Sequence, residues 1–391
     1  MFDCSKVQSS RQTAIQPLAI EEFFNLAPGV ISLGIGEPDF HTPRKAGEAG
    51  VAAITHGKTS YPPSEGIPQL RQEMSHYLRD KFGYSYAPQE ICITVGGSLA
   101  LDSVMRAFVE PGDEVILPTP AFSCYDPAIR MAGGTVVPVV KRAEDGFRLR
   151  PEALAAAITP QTKMLVLTSP DNPTGVTLSP ADFAAIADVL RDTNVMVVTD
   201  EIYAELCYHD RHHSILEQPD MRERTLLISG FSKMYAMTGW RIGYMCAPRE
   251  LLAPAAKMHS IAVMCASGIA QYAALAGLRQ CSDDVERMVA EYDRRLHYVM
   301  QRLEEIGLPC VRPGGAFYVF PSIRHTGLSS AEFCARLRDE GRVAVIPGPA
   351  FGEGGEGFIR ISYAYSMDTL KEAFDRIAAF CAKLREQCIA V

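Results

Sequence analysis

The stretch Ser229-Gly-Phe-Ser-Lys-Met-Tyr-Ala-Met-Thr-Gly-Trp-Arg-Ile-Gly-Tyr244 decides how the rest of this 391-residue chain is read. It follows an apolar run, Leu226 to Ile228, that reads as a buried strand, and a second strand-like segment, Ile242 to Cys246, completes it. Between the two runs stand small hydroxyl residues, one lysine, Lys233, and Arg241, which adjoins the only tryptophan, Trp240. A lysine between buried strands is costly unless it is paired or neutral. Bonding it as an imine to an aldehyde cofactor removes that cost. Arg241 then suits a phosphate, which a planar cation with several donors grips well. Taken alone, Lys233 would pass for a surface lysine; its neighbours elsewhere in the chain decide otherwise.

Upstream, Asn194-Val-Met-Val-Val-Thr199 is a nearly continuous apolar run, the pattern of a strand covered on both faces. It ends in Asp200-Glu-Ile-Tyr203. A carboxylate at the tip of a buried strand needs a cationic partner, and a protonated pyridine nitrogen is one. Asp200 would keep that nitrogen charged and the ring an electron sink. Before it lies Lys163-Met-Leu-Val-Leu-Thr168, then Ser169-Pro-Asp-Asn-Pro-Thr-Gly175. Parallel sheets bind ligands beyond the carboxyl ends of their strands, so Asn172, stiffened by adjacent prolines, is placed to donate to a ring oxygen. Asn-Pro is also a common turn pair. Earlier still, Ile91 to Val95 reads as a strand and Gly96 to Phe108 as a helix. A helix start after glycines is an anion site, which marks Gly97 and Ser98 for a phosphate.

The alternation of strands and helices predicts an α/β fold: a large domain with a mostly parallel sheet under helices on both faces, and a smaller α+β domain built from both termini. The expected divisions are 1–48 (arm and part of the small domain), 49–285 (cofactor domain) and 286–391 (small domain). Residues 1 to about 30 read as an arm with a short helix, Ile20 to Leu26. A helix capped by Ser64 is expected from Glu65 to about Phe82, and a long one from about Asp283 to Ile306 bridges the lobes. Three strands, Gly315–Phe320, Arg342–Ile346 and Phe358–Tyr363, flanked by helices Ser329–Glu340 and Asp368–Arg385, make the small domain.

The composition, 47% hydrophobic and 21% charged, is that of an ordinary globular protein, and a net charge of −8 argues against a nucleic-acid binder. No apolar segment approaches bilayer length and no signal peptide is visible, so the expected location is the cytoplasm. Eleven scattered cysteines without CxxC spacing suggest neither disulfides nor zinc, and no metal is expected. His212-His213 reads as part of a solvated loop. Gly352-Glu-Gly-Gly-Glu-Gly357 satisfies GxGxxG but leads into a strand, so it reads as a turn and not as a dinucleotide site.

The segment around Lys233 closely resembles the cofactor-lysine segment of class I aminotransferases, fold type I enzymes that use pyridoxal 5′-phosphate, and the resemblance runs from Leu33 to Ala364. It implies that Lys233 forms the Schiff base, displaced by an incoming amino acid, and then moves the α-proton. It implies that Phe122 stacks on the pyridine ring and that Tyr203 joins Asn172 at the ring oxygen. Arg360, in Phe-Ile-Arg-Ile-Ser-Tyr-Ala, grips the substrate α-carboxylate, with Gly36 beside it. Tyr61 reaches across a homodimer interface to the partner's cofactor phosphate.

Two departures stand out. Many members of the family carry a hydroxyl where this chain has Gly230, leaving Ser232 or Ser229 to serve the phosphate. Some that accept acidic substrates carry a lysine at the position of Ser98. The expected reaction moves an amino group between an L-amino acid and a 2-oxo acid. A lyase, synthase or amino-acid oxidase on the same fold is the alternative. A ligand-sensing regulator would need a DNA-binding domain, for which no residues are free before Ile20.

Overall fold

The computed structural model describes residues 2–13, 15 and 26–389. Its centre is a seven-stranded sheet made from β2 (Ile91–Thr94), β3 (Glu114–Thr119), β4 (Thr135–Val140), β5 (Thr162–Thr168), β6 (Met196–Asp200), β7 (Thr225–Gly230) and β8 (Gly243–Cys246), in the order β2-β8-β7-β6-β5-β3-β4. β8 runs antiparallel to both neighbours; the other pairings are parallel. The central strands are apolar on both sides because helices cover both. Ile228, Met245 and Val198 pack in a cluster with Val104 and Leu252, while Leu165, Leu167 and Val197 pack in another with Phe183 and Ile186.

The smaller part joins the N-terminal β1 (Ile31–Ser32) to β10 (Val343–Ala344) in parallel, beside an antiparallel sheet of β11 (Ile346–Pro347), β12 (Ile359–Ser362) and β9 (Tyr318–Val319). A helix at Ser330–Glu340, capped by the Ser329 side chain, and another at Met367–Ile389 flank it. The 25-residue helix Ser282–Ile306, about 37 Å long at 1.5 Å per residue, links the two parts. Its first turns put Val285 into one cluster with Tyr235 and Ile242, and its later turns put Tyr292, Leu296 and Leu303 into another with Phe317 and Phe374.

Several expectations are corrected. The helix expected from Glu65 starts at Pro68, with Ile67, not Ser64, at its N-cap. A proline in the first helical position drives the preceding residue to extended backbone, and Ile67 has ψ 137°. Ile93 donates instead to the Glu65 carbonyl, which lays this segment beside β2. The strand expected over Gly315–Phe320 shrinks to two residues, with Ala316 just before it at φ +57°. Arg342–Ile346 divides between β10 and β11, which pair in different sheets. His212 is no loop residue in water: its side chain is buried and its Nε2 lies 2.7 Å from Glu201 Oε2. The short helix expected at Ile20–Leu26 lies outside the described residues except for Leu26.

Candidate active site

The carboxyl ends of the parallel strands open on a cavity of about 290 Å³. Gly97 and Ser98 reach it from the start of the helix Gly96–Phe108, Asn172 from the loop after β5, and Asp200 and Tyr203 from the end of β6. Ser232, Lys233 and Arg241 come from the β7–β8 connection, Phe122 from the loop after β3, Gly36 from beyond β1, and Arg360 from β12. Eleven residues singled out in the sequence therefore meet in one space. Tyr61 does not line it; that side chain is 81% exposed on this chain's surface.

At one end of the cavity the helix Gly96–Phe108 begins without a side-chain cap, which leaves N–H groups free for an anion. Gly96 has φ +72°, and a Cβ there would stand 2.6 Å from Arg241 Nη2, so only glycine lets the guanidinium lie against this turn. Arg241 itself is held at φ +52° and donates to the Thr238 carbonyl at 2.9 Å. Ser229 turns away and donates to the Glu201 carbonyl at 3.0 Å. Of the two serines considered for this end, Ser232 alone lines the cavity.

In the middle, Asp200 Oδ2 accepts from the Tyr125 hydroxyl at 2.7 Å and Oδ1 from the Ile202 N–H at 3.1 Å. Burial pushes its carboxyl up to about 6, against the pull of those two donors. Tyr125 also meets Thr168 Oγ1 at 2.7 Å. Lys233 Nζ donates to the Gly36 carbonyl at 2.5 Å. Burial lowers its ammonium to about 8; Glu37 and Asp200 resist this, while Arg360 and Arg241 add to it.

At the far end Arg360, 2% exposed, donates through Nη1 to Asn172 Oδ1 at 2.8 Å and through Nη2 to the Gly34 carbonyl at 2.6 Å. Its Nε is buried and bonds nothing among the described residues. The guanidinium lies over Tyr318 and Phe351, 4.5 and 4.7 Å from the ring centroids. Because the Asn172 oxygen is taken, its amide NH₂ is free to face the cavity.

The family model for aminotransferase class I and II matches residues 28–377. This chain belongs to the class I and II aminotransferases. An aspartate aminotransferase of Pyrococcus abyssi is 43% identical over 376 residues, 94% of this chain and 97% of its own length. An aromatic-amino-acid aminotransferase of Thermococcus litoralis is 40% identical over 94% of this chain and 97% of its own. The solved structure of an aspartate aminotransferase from Thermus thermophilus with maleate superposes with a TM-score of 0.90 at 37% identity, covering 95% of this chain and 99% of that one. The protein is thus a pyridoxal-phosphate-dependent aminotransferase of fold type I, and the lyase, synthase and oxidase alternatives gain no support. No helix among the described residues is long and apolar enough to cross a membrane, and no cluster of ligating side chains is placed to hold a metal.

The cavity fits pyridoxal phosphate: a helix start and an arginine prepared for an anion, a half-buried carboxylate, a half-buried amine of lowered basicity, and an arginine nitrogen left without a partner. Sequence reasoning missed Tyr125, Thr168, Glu37, Thr238 and Tyr318, all of which line the same space. Tyr125 lies three residues after Phe122 and Tyr318 inside the strand expected over Gly315–Phe320, and each resembles an ordinary core aromatic.

Proposed function

We propose that this aminotransferase holds its cofactor and substrate through the residues that converge on the cavity, each in one role. When bound, pyridoxal phosphate supplies an aldehyde carbon that condenses with amines and a pyridine ring that withdraws electrons from it. Arg241, Ser232, Ser98 and the Gly97 N–H would hold the phosphate. Asp200 would keep a proton on the ring nitrogen, and Tyr125 steadies its carboxylate. Asn172 and Tyr203 would donate to the ring oxygen, Phe122 would cover a ring face, and Lys233 would hold the aldehyde carbon covalently.

The substrate α-carboxylate docks on Arg360, with Gly36 beside it. Lys233, once displaced by the substrate amine, is the base that takes the α-proton and returns it. An amine whose basicity has fallen to about 8 is unprotonated about a tenth of the time at pH 7, roughly 300 times more often than at the ordinary 10.5, which suits this task. What carries the reading is the convergence of Lys233, Asp200 and Arg360 on a single cavity from three distant segments.

The working unit in this reading is a homodimer, with Tyr61 of each copy completing the partner's phosphate site. Arg241 and Ser98 are exposed in the single chain, whereas Arg360 at the other end is buried, so the phosphate end is the one that lacks a wall. Further apolar side chains, Ile261, Val263 and Met264, stand exposed just before Gly268, against which Lys58 and Pro62 lie. The lobes would divide near residues 48 and 285, where the linking helix leaves one apolar cluster for the other. The ten described cysteines are unpaired, as suits work in the reducing cytoplasm.

The test is to load the protein with pyridoxal phosphate and add amino acids one at a time. The visible band should bleach and return on addition of a 2-oxo acid, and Lys233→Ala should carry no covalent cofactor after borohydride reduction. A reducible adduct at another lysine would overturn the site assignment.

A further inference from the structure

Tyr203 and Tyr318 meet in the cavity wall from different parts of the fold. Tyr203 follows the tip of β6, and Tyr318 belongs to β9 of the small sheet. Their hydroxyls are 2.8 Å apart and their rings meet edge to face at 5.8 Å. Neither hydroxyl has another hydrogen-bond partner among the described residues. The Tyr318 hydroxyl fills the place that a Cβ on Gly36 would take, so the ring is fixed against the segment after β1 that carries the Gly36 carbonyl bonded by Lys233.

Two hydroxyl protons share one oxygen–oxygen line, so one proton occupies it and the other is free. The free proton is decided by Arg360, whose guanidinium lies over the face of the Tyr318 ring at 4.5 Å. A cation on the ring face draws electron density from the phenol and makes its O–H the better donor. Burial raises both phenols, Tyr203 well above the ordinary value, while at Tyr318 Arg360 is the leading counterweight. Tyr318 therefore donates and Tyr203 accepts, and the Tyr203 proton is left to point into the cavity.

We propose that Tyr318 is a positioning residue: its hydroxyl donates to that of Tyr203 and so turns the Tyr203 proton onto the ring oxygen of the bound cofactor. This rests on the role given to Tyr203 above. A hydroxyl that accepts one hydrogen bond becomes a stronger donor of its own. A stronger donor on the ring oxygen weakens that oxygen's hold on a proton at the neighbouring Lys233 nitrogen. Tyr318 thus sets the proton affinity of Lys233 in the loaded enzyme without touching it. Glu37, Asp200, Arg241 and Arg360 also face this nitrogen, and all four are unchanged in the variants used below.

Tyr318→Phe keeps the ring beneath Arg360 and removes one hydroxyl. The visible absorption of bound pyridoxal phosphate, titrated with pH, reads the Lys233 nitrogen directly in the wild-type, Tyr203→Phe, Tyr318→Phe and double-variant proteins. Tyr203→Phe should move the midpoint up by about 1–2 pH units, and Tyr318→Phe in the same direction by about half a unit to one. The double variant should match Tyr203→Phe, because Tyr318 acts only through its partner. A wild-type midpoint in Tyr318→Phe, or a shift that adds in full to that of Tyr203→Phe, overturns the proposal. An unshifted Tyr203→Phe overturns the Tyr203 assignment itself and the proposal with it. A purely packing role for the Tyr318 hydroxyl would change the melting temperature and leave the band where it was.

Discussion

The Tyr125 hydroxyl donates to Asp200 Oδ2 at 2.7 Å from within the wall of the same cavity. That bond favours the ionised form, against the burial that raises the carboxyl to about 6. In Tyr125→Phe the carboxyl should climb further, since hydrogen bonds to charged groups contribute about 1.5–3 kcal/mol. The acid limb of cofactor affinity should then move up by roughly one pH unit. Binding titrations at several pH values check this, and an unmoved limb would show that Thr168 or water replaces the phenol.

Asp200→Asn should separate stability from activity. Holding this carboxylate ionised costs the cofactor-free fold about 3 kcal/mol for a rise from 3.8 to about 6. The sign follows from linkage: the cost is complete above about pH 6, shrinks as pH falls, and vanishes below 3.8. The amide keeps an oxygen for the Ile202 N–H but places its NH₂ against the Tyr125 oxygen, which loses the charged hydrogen bond there, about 1 kcal/mol. The variant without cofactor should therefore be more stable by about 1–2 kcal/mol at pH 8 and no more stable at pH 4, while amino transfer falls by orders of magnitude. Denaturant melts at the two pH values decide it.

Lys233 must be unprotonated to attack an aldehyde, and its ammonium is lowered to about 8. The rate of pyridoxal phosphate capture by cofactor-free protein should rise about tenfold per unit below that value and level off above it. Stopped-flow absorbance measures the rate directly. A limb that continued to rise to pH 10 would mean that burial and the neighbouring arginines do not depress this amine.

Arg360→Lys removes the planar fork while keeping a charge. Its two bonds, to Asn172 and to the Gly34 carbonyl, need two nitrogens at fixed separation, and a lysine supplies one. The kcat/KM for amino acids should fall about 100-fold, in line with 2–3 kcal/mol for one arm of a charged pair. Cofactor affinity should change far less if, as proposed, other residues hold the phosphate. Equal losses in both would place Arg360 at the cofactor instead.

Asp200, Asn172 and Lys233 were legible in the sequence because each follows an apolar run, where a polar side chain needs a reason, and the carboxyl ends of the main sheet gather them. Arg360 was legible only through the family resemblance, since an arginine inside a short strand such as β12 ordinarily points to water. Tyr125 and Tyr318 gave no such signal: one opens a short helix, the other sits in a two-residue strand, and an aromatic in either place is ordinary packing. His212 misled for the opposite reason. The run His209-Asp-Arg-His-His213 looks solvated, and only the fold brings Glu201 and Ser214 round to bury it. The helix start near Ser64 failed on Pro68, four residues later, whose effect on Ile67 outweighed the cap.

Ser98 bears on which side chains the enzyme accepts. The cationic residues lining the cavity are Lys233, Arg241 and Arg360, each already committed, and the remaining charged lining residues are Asp200 and Glu37. A substrate with a second carboxylate would meet Glu37 and no free cation from this chain. Ser98→Lys would supply one at the exposed edge of the cavity, in the first turn of the Gly96–Phe108 helix. The ratio of kcat/KM for aspartate over phenylalanine should rise about tenfold, the scale of one partly exposed ion pair of about 1 kcal/mol or slightly more. Steady-state kinetics with both donors measure the ratio. If it stays fixed while cofactor binding weakens, the new lysine has engaged the phosphate, and selection of the side chain is made elsewhere in the site.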